Sequence, residues 1–200
     1  AGTELVIPNG ITKDQETTAA KDWEWSWKDL PKFLPDNSGT YYEAVYSVTE
    51  TLPDGYTKTE NGMNVSNTPK YTQVSGEKTW NDSNNKWKNR PTEITINLKA
   101  TNGSTDLTGL IPSSINTEKK VSEGTDKKWT WSWTNLPEYL GGKKATYYVE
   151  ETLPTGYTKV EDGMNVTNTP ETTEVPVTKN WNDNSNQYGT RPTEITVNLI

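Results

Sequence analysis

Several short segments of the chain alternate between hydrophobic and polar residues. In the clearest of them, Ile94, Ile96 and Leu98 are separated by Thr95 and Asn97. A period of two places alternate side chains on one face, so this pattern predicts a half-buried β-strand. The same alternation occurs in residues 23–27, 46–50, 129–133, 147–151 and 195–199.

Turn-forming residues separate these segments. Asn9-Gly10, Pro53-Asp54-Gly55 and Asn102-Gly103 favour tight turns, because Gly and Asn accept positive φ and Pro fixes φ. No stretch has the period of a long amphipathic helix. Many short strands joined by regular turns predict an all-β fold, a Greek-key β-sandwich.

The chain repeats itself at an offset of 101 residues. Glu50-Thr51-Leu52-Pro53 returns as Glu151-Thr152-Leu153-Pro154, and Arg90-Pro91-Thr92-Glu93-Ile94 returns as Arg191-Pro192-Thr193-Glu194-Ile195. Each unit ends at Asn-Thr-Pro, so residues 70–170 form one complete copy of ordinary domain size. We call these residues the central copy.

The flanking residues are predicted to be two parts of a split copy. Residues 1–69, the head segment, lack the first strands of a copy, whereas residues 171–200, the tail segment, contain only those strands. Together they amount to nearly one domain, cut in a hairpin loop. Such a cut is hard to explain as a natural boundary, and deliberate splitting would produce it.

The composition narrows the class of protein. Hydrophobic residues make up only 30% of the chain, but 9 Trp and 10 Tyr offer large surfaces for a small core. The net charge of -7 argues against nucleic acid or an anionic membrane as a partner. No apolar run is long enough to span a membrane, and no signal peptide precedes Ala1, which predicts a mature or excised segment.

Cys and His are both absent from the sequence. Disulfides and thiolate metal sites are therefore impossible, and the usual general base and commonest metal ligand are missing. We expect no metal centre, no cofactor and no enzyme acting on a diffusible substrate.

The central copy carries a set of motifs that together are more specific than any one alone. They are Lys78-x-Trp80-x-Asp82, Arg90-Pro91-Thr92-Glu93-Ile94-x-Ile96-x-Leu98, Trp131-x-Trp133-x-x-Leu136-Pro137, Tyr147-x-Val149-x-Glu151, Gly156-Tyr157 and Val166-x-Asn168-Thr169. Across essentially the whole chain this pattern resembles the Cna B-type domain of Gram-positive collagen-binding adhesins and pilins. The resemblance implies a transthyretin-like, inverse immunoglobulin sandwich. It also implies an intramolecular isopeptide bond between a Lys on the first strand and an Asn on the last, promoted by an internal Glu.

The resemblance assigns these roles residue by residue. In the central copy Lys78 is the nucleophile, Asn168 the acyl donor and Glu151 the proton shuttle. The equivalents in the split copy are Lys179, Asn67 and Glu50.

Two neighbouring glutamates, Glu150 and Glu151, are candidates for the acid. At an offset of 101, Glu150 matches Thr49 whereas Glu151 matches Glu50. Strand alternation also sets Glu151 on the face of Tyr147 and Val149.

The implied chemistry suits these residue types. A Lys amine attacks only when it is neutral, so its usual pKa of about 10.4 must fall, and burial among aromatic side chains lowers it. Burial favours the protonated form of a carboxyl group, which then polarises the Asn carbonyl and carries a proton to the leaving ammonia. The bond forms once per domain, so this is self-processing without turnover.

These observations predict a structural stalk module of a Gram-positive cell-surface adhesin or pilus. We expect an extracellular, cell-wall-anchored protein whose other domains bind host extracellular matrix. The tail segment of one molecule is predicted to complete the head segment of another by strand addition. Lys179 would then bond Asn67 between molecules and give a covalent head-to-tail polymer.

Two other interpretations use the same residues. An adhesin that binds a ligand or carbohydrate would expose its Trp strands, although large aromatic residues at strand spacing more often form a core. Asp82-x-Asn84 with Glu93 faintly resembles a calcium loop, but Trp87 stands where such a loop needs Gly. An Asx-rich turn explains these residues better, and calcium binding stays open at this point.

Overall fold

The computed structural model describes residues 4–200, so residues 1–3 of the head segment lie outside the described part. By contact density the chain divides into two compact units. One comprises the residues up to Val74 with Lys99–Asn116 and Ser132–Tyr147, and the other comprises Ser75–Leu98, Thr117–Trp131 and Tyr148–Ile200.

The described residues form thirteen strands and two short 3-10 helices, Ala19–Lys21 and Thr108–Leu110. Neither helix is long or apolar enough to cross a membrane, and residues 4–200 contain no other candidate. The strands are β1 (Phe33–Pro35), β2 (Tyr41–Glu43), β3 (Tyr56–Asn61), β4 (Asn64–Pro69), β5 (Tyr71–Trp80), β6 (Ile94–Thr101), β7 (Glu118–Val121), β8 (Thr130–Pro137), β9 (Tyr139–Leu140), β10 (Lys143–Lys144), β11 (Thr146–Glu151), β12 (Tyr157–Asp162) and β13 (Asn165–Pro170).

The central copy contains a four-stranded and a three-stranded sheet. Their strand orders are β12-β13-β5-β8 and β11-β6-β7. The first and last strands of the copy, β5 and β13, are parallel neighbours, whereas β12 and β13 form an antiparallel hairpin. The predicted all-β sandwich is confirmed.

The core lies between these sheets and follows the predicted alternation. On β6, Ile94, Ile96 and Leu98 are 3%, 0% and 1% exposed. Residues between them are only partly buried, as expected for a strand with one inner face. Val149 on β11 and Val166 on β13 complete the same core.

Three tryptophans of β8 and the residue before it form part of the core of the central copy. Trp129, Trp131 and Trp133 are each 4% exposed, whereas Ser132 and Thr134 are exposed. The Nε1 of Trp131 donates to the Met164 carbonyl, so the indole's polar atom is satisfied inside the fold. The core interpretation of this Trp strand is confirmed, and it leaves no sugar-stacking platform on that face.

Three of the predicted strands do not form. Residues 23–27, 46–50 and 195–199 have no strand structure, and Trp23 is 63% exposed where Trp129 is buried. In the central copy β8 lies beside β5, and β6 lies between β11 and β7. The head segment has no sequence corresponding to β5 and β6, which repeat only in the tail segment. Alternation alone does not make a strand where the hydrogen-bonding neighbour is missing.

The β3–β4 hairpin of the head segment does form. Tyr56 pairs with Pro69 and Asn61 with Asn64, which is the register of β12 and β13 moved by one repeat. A hairpin pairs with itself, so it needs no strand from elsewhere in the copy.

Candidate functional site

Lys78 and Asn168 lie on adjacent parallel strands with their side chains on one face. Lys78 on β5 pairs with Val166 on β13, and Trp80 pairs with Asn168. Asn168 is therefore two residues further along the neighbouring strand. Strands about 4.8 Å apart with about 6.6 Å between alternate residues separate the two Cα atoms by about 8 Å, which a Lys side chain can span.

Glu151 reaches the same place from the opposite sheet. It ends β11, on the buried face with Tyr147 and Val149, whereas Glu150 is exposed. The Nζ of Lys78 lies 2.5 Å from the Glu151 Oε1, and both side chains are 0% exposed. The pair thus joins the two sheets through the core.

The Lys78 ammonium lies against one ring of an aromatic cluster. Its Nζ lies 4.8 Å from the centroid of the Trp80 ring, which meets Trp129 and Tyr157 edge-on at 5.5 and 5.1 Å. Burial lowers the pKa of Lys78, and the hydrogen bond and charge of Glu151 partly oppose that fall. The site therefore eases the loss of a proton from a group that is ordinarily charged.

The Asn168 amide is buried without hydrogen bonds. Asn168 is 0% exposed, and neither its Nδ2 nor its Oδ1 has a partner among the described residues. The Glu151 Oε2 is likewise buried and unpaired within residues 4–200. Such groups are rare because each costs about 1–3 kcal/mol, so three in one place require an explanation.

The main chain of Glu151 is held by a second charged pair. Glu161 Oε1 accepts the Glu151 N–H at 2.6 Å, and the Nζ of Lys159 donates to the Glu151 carbonyl at 2.7 Å. Lys159 and Glu161 also bond each other at 2.6 Å. Sequence analysis missed both residues, although the same spacing in Glu50, Lys58 and Glu60 was available as a signal.

The carboxylate oxygens of Asp82 accept hydrogen bonds from groups of the protein itself. Arg90 donates from Nε to Oδ2 at 2.6 Å and from a terminal nitrogen to Oδ1 at 2.5 Å. The Asn85 N–H also donates to Oδ1, which agrees with the predicted Asx-rich turn. Arg90 holds the pKa of Asp82 below its usual value, and residues 4–200 contain no group of acids arranged to hold a metal ion.

The corresponding residues of the split copy are only partly assembled. Asn67 Nδ2 donates to Glu50 Oε1 at 2.9 Å, which brings the predicted acyl donor and acid of the head segment together. Lys179 is exposed, donates to the Asn180 carbonyl and lies 4.3 Å from the centroid of the Trp181 ring. Its bonds are therefore within the tail segment.

The comparisons with known proteins agree with this fold. The profile of the Cna protein B-type domain matches residues 3–68, 74–169 and 175–200. The chain belongs to the Cna protein B-type domain family. A B-type domain is a structural repeat of adhesins and not an enzyme, which confirms the prediction made for this chain.

Several similar proteins come from Staphylococcus aureus. A collagen adhesin of Staphylococcus aureus is 39% identical over 182 residues, which are 87% of this chain and 14% of that protein. The single B repeat unit (B1) of the S. aureus collagen-binding surface protein is 30% identical, with 76% of this chain and 77% of that chain covered and a TM-score of 0.41. Two B repeat units (B1B2) of the same protein are 31% identical, with 88% of this chain and 45% of that chain covered and a TM-score of 0.40.

Proposed function

We propose that this chain is a structural stalk module of a Gram-positive surface adhesin or pilus, and that its B-type copy crosslinks itself through Lys78 and Asn168. The observation that carries the proposal is the buried Lys78–Glu151 pair beside an Asn168 amide with no hydrogen bonds. A purely structural core rarely leaves such an amide unpaired.

The reaction conserves atoms and charge. Lys78 passes a proton to Glu151, and its neutral Nζ attacks the Cγ of Asn168. The bond from Cγ to Nδ2 then breaks, while protons transferred through Glu151 convert Nδ2 into ammonia. A new amide joins Nζ to Cγ, and no oxidant, metal or cofactor takes part.

The position of the bond fits a load-bearing module. Lys78 lies on the first strand of the copy and Asn168 on the last, and these strands are neighbours. Force along the chain would pass through the crosslink and extend little of the sandwich. A link closing a loop of about ninety residues also stabilises the fold by about 4 to 5 kcal/mol through the unfolded state.

A pair of adjacent glutamate variants tests the crosslink. Glu151→Gln keeps the size of the side chain but cannot shuttle the proton, so no branched peptide linking Lys78 and Asn168 should form. Glu150→Gln changes an exposed neighbour on the same strand and should leave that peptide at the wild-type level. Protease digestion and tandem mass spectrometry of the folded proteins measure both.

The two variants also provide the contradicting results. A branched peptide at the wild-type level in Glu151→Gln would remove the assigned role of the acid. If folded wild-type protein gave no branched peptide linking Lys78 and Asn168, the crosslink itself would be overturned.

We also propose that the split copy joins molecules head to tail. Glu50 and Asn67 already form their hydrogen bond in the head segment, and Lys179 is exposed in the tail segment. Val197 and Leu199 are 63% and 87% exposed, although their counterparts on β6 form the core. The tail segment of a second molecule would bury them and bring Lys179 to Asn67.

Denaturing electrophoresis tests the polymer. Folded wild-type protein is expected to give a ladder of covalent multimers. Lys179→Ala should give monomers alone, whereas Lys78→Ala should keep the ladder because it removes only the central crosslink. Monomeric bands alone from folded wild-type protein would contradict head-to-tail joining.

We propose the location and other partners of the parent protein by analogy with a similar protein. The similar S. aureus protein is a collagen adhesin, and this chain matches 14% of its length. We therefore place the parent protein outside the cell, anchored to the wall, with extracellular-matrix binding in domains other than this one.

A further inference from the structure

The backbone of Glu151 lies at an open edge of its sheet. The N–H of the next residue, Thr152, donates to the carbonyl of Thr95, the second residue of β6. Neighbouring residues of a strand point their backbone groups to opposite sides, so the N–H and C=O of Glu151 point away from β6. No strand of the three-stranded sheet lies on that side of β11.

Two side chains from β12 take the place of the missing strand. Glu161 accepts the N–H of Glu151, and Lys159 donates to its carbonyl, with separations of 2.6 and 2.7 Å. The two side chains are about one quarter exposed and share an ion pair of 2.6 Å. Together they satisfy both backbone groups of this one residue, which an open edge would leave to water.

The head segment contains the same arrangement. Lys58 donates to the Glu50 carbonyl at 2.7 Å, Glu60 accepts the Glu50 N–H at 3.2 Å, and the two side chains lie 2.8 Å apart. Residues 46–50 form no strand there. The charged pair therefore holds the acid even where no strand ladder supports it.

We propose that Lys159 and Glu161 are positioning residues that fix Glu151 for the crosslinking reaction, with Lys58 and Glu60 serving Glu50 in the same way. This inference rests on the proposed isopeptide bond. Lys159 lies opposite Asn168 in the β12–β13 hairpin, and the side chains of the pair act on the main chain of the acid. A displacement of about 1 Å at a reacting group can cost about a hundredfold in rate.

The charges of the pair provide a way to separate positioning from electrostatics. The ammonium of Lys159 lowers the pKa of Lys78, whereas the carboxylate of Glu161 raises it. If charge alone mattered, removing Lys159 would move the pH profile of crosslinking to higher pH, and removing Glu161 would move it to lower pH. If positioning matters, both changes slow the reaction on the plateau of the profile.

The test follows crosslinking in newly made protein. The full chain is synthesised in a cell-free system, quenched at intervals from seconds to hours, and its loss of ammonia is read by intact mass. Lys159→Met and Glu161→Ala are each expected to slow this loss roughly tenfold or more. Lys159→Arg and Glu161→Gln retain a donor and an acceptor and should restore most of the rate.

Lys120→Met is the matched control. Lys120 lies on β7 and donates to the Thr95 hydroxyl at 2.7 Å, so it too is a Lys whose side chain joins two elements. Its removal should leave the rate unchanged. Tryptophan emission establishes that each variant is folded, and if Glu161→Ala does not fold, Lys159→Met carries the test because Glu161 still accepts the Glu151 N–H.

The outcomes separate this inference from the proposed function. Wild-type protein that folds without losing ammonia would overturn the crosslink and the inference together. Wild-type rates in Lys159→Met and Glu161→Ala, opposite pH shifts at an unchanged plateau rate, or no recovery in either conservative variant would overturn the positioning role alone. If neither Lys159→Met nor Glu161→Ala folds, the pair serves the stability of the fold, and the positioning role is overturned as well.

Discussion

Lys78 is a charged residue in an aromatic core, and its energetics depend on one partner. Glu151 lies 2.5 Å away, yet a buried ion pair seldom repays the loss of two hydration shells. Burial lowers the pKa of Lys78 and Glu151 opposes that fall. The uncrosslinked site is therefore a stability cost that the reaction would relieve by turning the amine into a neutral amide.

This cost predicts a pH-dependent stability before the bond forms. In Asn168→Ala the amine stays free, and its pKa is lower in the folded state than the value of about 10.4 in the unfolded chain. The unfolded state therefore binds more protons between those two values, so stability rises with pH there, by up to about 1.4 kcal/mol per pH unit. The destabilisation caused by the charged Lys78 amine is fully present below its pKa in the folded state and is lost above its pKa in the unfolded state.

The measurement compares Asn168→Ala with Asn168→Ala/Lys78→Met by urea unfolding from neutral pH toward pH 10. Only the first should gain stability as pH rises. Burial raises the pKa of Tyr147 to about 12, so unfolded but not folded Tyr147 ionises above about pH 10 and stability falls there. Equal pH slopes in the two variants below that point would contradict a lowered Lys78 pKa.

At this scale the sequence was informative about the proposed reactive residues and gave no sign of the residues proposed to position them. Lys78, Glu151 and Asn168 carry a recognisable motif, and their burial follows from strand alternation. Lys159 and Glu161 share the face of β12 with buried Tyr157, but they are charged and act on a backbone, so no hydrophobic pattern marks them. Only their return as Lys58 and Glu60 would have singled them out.

At the scale of elements, strand β5 passes very close to the Met164 main chain and the Trp131 side chain at Gly76. A Cβ built on Gly76 would lie 1.7 Å from the Met164 carbonyl oxygen and 2.7 Å from the Trp131 Nε1. β5 therefore needs Gly where it passes Met164. In the tail segment Val177 stands at the position of Gly76, so a tail strand docked on another head segment must lie further from Met63 than β5 lies from Met164.

Gly76→Ala should accordingly destabilise the central copy by about 1–3 kcal/mol, because backbone has to move to admit the methyl group. Gly109→Ala is the control, since a Cβ at Gly109 meets nothing within 4 Å. Denaturant unfolding in the uncrosslinked Asn168→Ala background measures both. Equal stability of the two variants would show that β5 does not need the close approach.

Strand β6 and its repeat at residues 195–199 show what alternation in the sequence cannot predict. The alternating segment at β6 forms a strand and its repeat at 195–199 does not, although the two sequences are nearly identical. The difference lies in the neighbours: β6 is flanked by β11 and β7, and the tail segment has no such flanks. Periodicity specifies which face a strand would bury but does not supply the partner.

The whole molecule combines one complete copy with two parts of another. The complete copy assembles Lys78, Glu151 and Asn168, whereas the split copy assembles only Glu50 and Asn67. The organisation into 1–69, 70–170 and 171–200 stays a prediction from the repeat. In the proposed function, the stalk depends on the crosslink of the central copy.

Intact mass of the purified, folded chain tests that crosslink most directly. We expect wild-type protein to be lighter than its sequence by the mass of at least one ammonia molecule. Lys78→Ala should restore that ammonia, since the nucleophile of the central copy is gone. Folded wild-type protein at its full sequence mass would contradict the account.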